Sequence, residues 1–133
     1  TPNEREVRFA LGDQESVVRP LALDLYNKAK CKYLILKLGE RGILTYRPGS
    51  TLDPRTFFTV DSFVEKVVDP VGAGDALLAY ATLALVATNS IVIASILGSM
   101  AAAIACERDG NLPVTPQEVY KLLELCEKCV HFT

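Results

Sequence analysis

The chain has 133 residues, half of them hydrophobic, and its 14 basic and 16 acidic side chains leave a formal charge of -2. That length supports one compact domain with a real core and is too short for two of ordinary size. The near-neutral balance carries no electrostatic footprint for nucleic acid, and the scattered Cys31, Cys106, Cys126 and Cys129 suggest no disulfide framework, so a reducing cytosol is expected.

The chain opens at Thr1-Pro2-Asn3 without a methionine, in the manner of a strand-to-helix connection, and a fragment of a longer protein is expected. From Asn3 to about Lys30 the apolar residues Val7, Phe9, Ala10, Val17, Val18, Leu21, Leu25 and Ala29 follow helical spacing. Gly12-Asp13 interrupts them and predicts a short helix followed by a longer one. Strands are predicted at Tyr33 to Leu38 and at Ile43 to Tyr46, with a turn through Gly39 and Gly42 between them. Arg47 to Pro54 is rich in turn formers and is expected to be the least structured part. Phe57 to Val60 predicts a third strand and Lys66 to Val68 a fourth.

Two apolar helices are then predicted, at about Asp75 to Ala87 and Ser90 to Cys106. A last helix follows, marked by the capping box Thr115-Pro116-Gln117-Glu118 and reaching about Cys129. From Ala76 to Cys106 no residue is charged. This is not read as a membrane span: Thr88-Asn89-Ser90 breaks the run with turn and cap chemistry, and each half has the length of a buried globular helix. Helices on both sides of a run of strands favour an α/β layered domain.

The segment with chemical character is Asp69-Pro70-Val71-Gly72-Ala73-Gly74-Asp75. Glycines let the backbone turn tightly and bring its N–H groups close to a ligand, and the start of a helix adds partial positive charge, so Gly72, Ala73 and Gly74 form a candidate anion hole. A carboxylate beside such a site opposes anion binding and calls for another role, such as accepting a proton from an attacking hydroxyl. Asp75 fits that role. The same four residues also read as a plain turn with an aspartate at a helix start, and the tetrapeptide alone does not separate the two.

In context, the segment resembles the C-terminal signature of the ribokinase family of carbohydrate kinases, where an acidic residue, then commonly a threonine, then one variable residue precede Gly-Ala-Gly-Asp and a helix of small apolar residues. Three more segments match in order: Asn3-Glu4-Arg5-Glu6 is similar to the family's Asn-x-x-Glu element, Leu38-Gly39-Glu40-Arg41-Gly42 to its nucleotide-side glycine turn, and Ala101-Ala102-Ala103 with Gly110 and Pro113 to the border of the adenine pocket. The resemblance implies a ribokinase-like three-layer α/β fold, of which this chain would be the C-terminal portion. It implies ATP-dependent phosphorylation of a sugar or sugar phosphate, with Asp75 as catalytic base and the amides of Gly72, Ala73 and Gly74 steadying the transferred phosphoryl group.

Further roles follow from the same resemblance. Glu6 with Asn3 would join a magnesium and phosphate network through water. Gly39, Gly42 and Gly110 would border the nucleotide, and Asp69 with the carbonyl of Val71 would fall where some members bind a monovalent cation such as K+. Pro70 stands where the family commonly has threonine, so that hydroxyl is lost. The sugar-gripping half is absent from these residues, so the isolated chain is expected to be inactive. The wording from Thr1 to Arg47 and the Asp-Pro-Val variant look most like kinases of phosphorylated heptoses.

Read alone, Asn3 and Glu6 make a capping pair and Gly39 and Gly42 a hairpin turn. Arg41 could touch phosphate or be an exposed turn residue. Cys126 and Cys129 share a helix face near His131, but one thiol pair falls short of the four ligands of a structural zinc site, and they read as helical thiols near a frayed end. The rival readings are a catalytically silent anion-binding module and an assembly domain that buries its apolar helices against a partner, for example in a homodimer.

Overall fold

The helical pattern of the first thirty residues is realised in the computed structural model as α1 (Glu4–Leu11) and α2 (Val18–Ala29), parted at Gly12. Asn3 caps α1 through a reciprocal pair: its Oδ1 accepts the Glu6 N–H at 2.8 Å, and Glu6 Oε2 accepts the Asn3 N–H at 2.7 Å. The structure describes residues 1–49 and 53–131, so part of the predicted irregular stretch, residues 50–52, lies outside the described residues. The chain divides into two compact units, Thr1–Ser62 and Phe63–Thr133.

In the first unit β1 (Leu34–Lys37), β2 (Ile43–Tyr46) and β3 (Phe57–Val60) form an antiparallel meander in the order β1-β2-β3. Leu34 pairs with Tyr46 and Leu36 with Leu44, while Tyr46 also faces Phe57. Because side chains alternate along a strand, Leu34, Leu36, Leu44 and Tyr46 share one face. They pack with Val7 of α1 and Leu21 and Ala22 of α2 into a buried core. Ile35, Ile43 and Thr45 point the other way and are buried as well. A parallel bridge between Asn3 and Lys37, made by the Lys37 N–H donating to Pro2 O at 2.9 Å, fastens the start of α1 to the end of β1.

The second unit holds α3 (Ala73–Thr88), α4 (Ile91–Cys106) and α5 (Pro116–His131). The predicted fourth strand at Lys66 to Val68 does not form. The amides of Val68 and Asp69 both donate to Cys106 O at the end of α4, at 2.8 and 3.0 Å, so they serve a helix terminus instead of a ladder. Val67 and Val68 remain half exposed. Helix α3 also begins two residues earlier than predicted, because the Ala76 N–H reaches Gly72 O at 2.9 Å and closes the first turn there. Ser90 caps α4 as expected, its Oγ accepting the Ile93 N–H, and Thr115 shares a capping box with Glu118 at the head of α5. The side chain of His131 lies outside the described residues.

α3 and α4 are apolar on all sides and form a tight helical hairpin through Asn89. Leu77, Ala81 and Ala84 of α3 meet the small residues of α4. A side chain at Gly98 would place its Cβ 2.9 Å from Leu77 O and 3.1 Å from the Ala81 methyl. Met100, Ala101 and Val119 form a core with Phe63 and Tyr80, whose hydroxyl donates to Val114 O at 2.7 Å. The opposite side of α3, with Leu78, Leu83 and Val86, is exposed and carries no charge beyond Asp75. Among the described residues no helix is long and apolar enough to cross a membrane. Gly98→Leu is expected to overpack the hairpin and destabilise the protein by about 1–3 kcal/mol, read as a lowered midpoint in thermal unfolding followed by circular dichroism.

Candidate functional site

The residues singled out in the sequence fall into two groups, one in each unit. In the second unit the chain enters α3 through a pair of stacked turns. Asp69 Oδ1 accepts the Val71 N–H at 2.9 Å, and the Ala73 N–H donates to Pro70 O at 3.3 Å. Gly72 then takes φ +83° and ψ -10°. An L-residue there pays about 1–2 kcal/mol for the left-handed region, and a Cβ would stand 2.1 Å from Asn111 Oδ1. Asn111 thus lies directly against the glycine turn, so the loop of Gly110, where φ is +80°, meets the segment Gly72 to Asp75 in space.

Gly72 has no side chain to cap the helix, and α3 has no side-chain cap. The first amides of any helix lack intrahelical acceptors. Of the three proposed anion-hole amides, that of Ala73 carries the long bond to Pro70 O, while those of Gly74 and, one residue on, Asp75 stand at the open helix start. These N–H groups and the helix dipole favour an anion there. Asp75 is exposed in the first turn and takes part in no ion pair or side-chain hydrogen bond among the described residues. Burial, then the carboxylates of Glu107 and Asp69, push the Cys106 thiol upward and keep it protonated at neutral pH.

In the first unit the bridge from Asn3 to Lys37 sets the Asn-x-x-Glu element beside the glycine turn. That turn is a short 3-10 helix at Gly39–Arg41, closed by Leu38 N–H to Gly42 O at 2.9 Å, with both glycines at positive φ. Between them lies an open groove of about 540 Å³ bordered by Asn3, Arg5, Lys37 and Gly39. Glu6 Oε2 is engaged in the capping box, and Oε1 accepts no hydrogen bond among the described residues. Arg41 does not stand free in its turn, since its guanidinium pairs with Glu4 Oε2. Glu4 Oε1 in turn accepts from Arg8 at 2.8 Å. The bond from Arg8, then the charges of Arg41 and Arg8, hold the Glu4 carboxyl below its ordinary range.

Sequence reasoning missed Lys37, Glu4, Arg5 and Asn111. Lys37 is the one charge in the run Leu34 to Leu38 and could have been noticed. Asn111 gave no signal, because its importance rests on a contact with a residue 39 positions away. Cys126 is half-buried and Cys129 exposed, both as free thiols on α5. Among the described residues no group of three His, Cys, Asp or Glu side chains is placed to hold a metal.

A family model described as pfkB family carbohydrate kinase matches residues 1–117. The chain belongs to that family. Its fold is the ribokinase-like α/β fold, present here in part. A ribokinase from Thermotoga maritima superposes with a TM-score of 0.78 at 28% identity, covering 92% of this chain and 41% of that one. The Arabidopsis thaliana ribokinase, solved with ribose and ATP, gives 0.75 at 25% identity, covering 92% and 39%. The bifunctional protein HldE of Nitrobacter winogradskyi is 33% identical over 122 residues, which are 90% of this chain and 24% of that protein. The chain therefore spans about a quarter of the length of the curated relatives it matches.

Two outcomes are expected. Gly72→Ala should cost about 1–2 kcal/mol from its φ alone plus the clash with Asn111. In an Asn111→Ala background the second part should vanish and the first remain, as a double-mutant cycle by chemical unfolding would show. For Glu4, a folded-state pKa below the unfolded one means its contribution is present above the ordinary glutamate range and is lost as pH falls through the folded value. The thermal midpoint should thus drop more steeply below about pH 4.3 in the parent chain than in Glu4→Gln.

Proposed function

We propose that this chain is the nucleotide-binding and catalytic-base part of an ATP-dependent kinase that phosphorylates a hydroxyl of a sugar or sugar phosphate, and that the sugar-gripping part lies outside these 133 residues. The observation that carries the reading is the head of α3. Open amides at Gly74 and Asp75 follow a left-handed Gly72, and a carboxylate with no ion-pair partner among the described residues stands in the same turn. Phosphoryl transfer needs little covalent chemistry from a protein; it needs alignment, donors for the charge on the transferred group, and an acceptor for the hydroxyl proton. Gly72 and Gly74 supply backbone donors, joined by Ala73 once its 3.3 Å bond to Pro70 O is given up, and Asp75 takes the proton.

In the first unit Asn3, Gly39 and Gly42 would serve the nucleotide phosphates; in the second, Gly110 is the residue that the family resemblance assigns to the adenine pocket. Magnesium, a hard and strongly hydrated ion, suits the Glu6 oxygen left over by the capping box, held through water, and would offset charge on the phosphates. Asp69 and the carbonyl of Val71 are the oxygens for a monovalent cation such as K+. A phosphorylated heptose is the substrate class favoured by the Asp-Pro-Val variant of the signature. The four free thiols fit a cytoplasmic enzyme.

In a kinase that contains this chain, Asp75→Asn is expected to cut turnover by about a hundredfold or more, the scale of general-base loss, while nucleotide affinity stays unchanged. Steady-state kinetics beside nucleotide titration checks this, and turnover near that of the parent would sink the assignment of Asp75.

A further inference from the structure

The loop that follows α4 is knitted to the entry of α3. Cys106 O takes the amides of Val68 and Asp69, and Glu107 Oε1 accepts the Glu65 N–H at 2.7 Å. Gly110 turns the loop at φ +80°, and Asn111 then lies so near Gly72 that a Cβ there would meet its Oδ1. Arg108 ties that loop shut. Its Nη2 donates to Leu112 O at 2.7 Å, across its own loop, and its Nη1 donates to Glu118 Oε1 on α5 at 2.9 Å. Glu118 is itself fixed, since its Oε2 accepts the Thr115 N–H at 2.7 Å. The bonds from Thr115, then the charge of Arg108, hold the Glu118 carboxyl below its ordinary range.

We infer that Arg108 is a positioning residue for the head of α3: by closing the loop on Leu112 and anchoring it to Glu118, it seats Asn111 against Gly72 and keeps the first amides of that helix in place. This rests on the proposed phosphoryl-binding role of those amides and adds a residue that itself touches no substrate. Reach and rigidity decide it. α3 has no side-chain cap, so the turn at Gly72 takes support from the loop packed on it. A planar guanidinium holds two acceptors in different directions at fixed geometry, which a lysine ammonium on a flexible stem does not. The bond to Glu118 is charge-assisted on both sides, the strong kind of hydrogen bond. The Tyr80 hydroxyl, donating to Val114 O, secures the far end of the same loop. Loss of Arg108 therefore frees the stretch around Asn111 and leaves the rest attached.

The test uses a kinase that contains this chain and reads hydrogen–deuterium exchange by mass spectrometry beside steady-state kinetics with ATP and a phosphorylated heptose. Arg108→Met should raise exchange in residues 70–77 by about tenfold, the scale of a lost hydrogen bond to a charged group, and leave residues 91–100 of α4 as in the parent. The kcat should fall by a similar factor while the KM for the heptose stays unchanged. Arg108→Lys should lie between the two in both readouts, and it carries the test if Arg108→Met does not fold. In an Asn111→Ala background Arg108→Met should add little to either, since both act on one contact. Equal exchange in parent and Arg108→Met, a rise shared by α4, or full additivity with Asn111→Ala would each overturn the inference. A local rise in exchange with kcat unchanged would uphold the brace and count against the head of α3 as the phosphoryl site, which Asp75→Asn tests separately.

Discussion

The close approach of α3 and α4 at Gly98 is the contact that places the head of α3 in the second unit. α3 begins without a side-chain cap, ends on Asn89, and carries one charged residue. Among the described residues no ion pair anchors it, so its position is set by packing and by the hydroxyl of Tyr80, which donates to Val114 O. Small residues on α4 let the two backbones meet, with the Leu77 carbonyl within reach of Gly98. The open amides at the head of α3 are thereby held on a rigid element, which is the condition under which donors cost no reorganisation when charge develops before them.

In the first unit a local motif and a long-range one reinforce each other. The capping box of Asn3 and Glu6 starts α1, and the bridge from residue 2 to Lys37 ties that start to the sheet. A capping role and a place beside phosphates are compatible for the same two residues. Each uses one oxygen for the helix, and Glu6 Oε1 accepts no hydrogen bond among the described residues. The pairing of Arg41 with Glu4 then closes the glycine turn onto the same helix.

Much of this was legible in the sequence, and the failures have physical causes. Short apolar runs bounded by turn residues gave β1, β2 and β3, helical spacing gave α1 and α2, and turn and cap chemistry marked the ends of α3, α4 and α5. The spurious strand at Lys66 to Val68 arose because two valines satisfy β propensity while their amides are claimed by the end of a helix far along the chain. Propensity does not see that competition. Asp75 and its glycines could be named from sequence because a turn into a helix is local. The contact of Asn111 with Gly72, the commitment of Glu4 to two arginines, and the exposure of Lys37 to a groove depend on pairs far apart in sequence, and no periodicity encodes them.

The left-handed residue at the head of α3 also fixes rotational phase. Each helical residue advances about 100° around the axis, so a single residue gained or lost between Gly72 and Asp75 would swing the carboxylate to a different azimuth while leaving helix and core intact. Upstream of Gly72, where the chain is irregular from Asp61 to Val71, a change of length can be absorbed by the loop. Insertions and deletions in descendants of this sequence should therefore be tolerated on one side of that glycine and purged on the other.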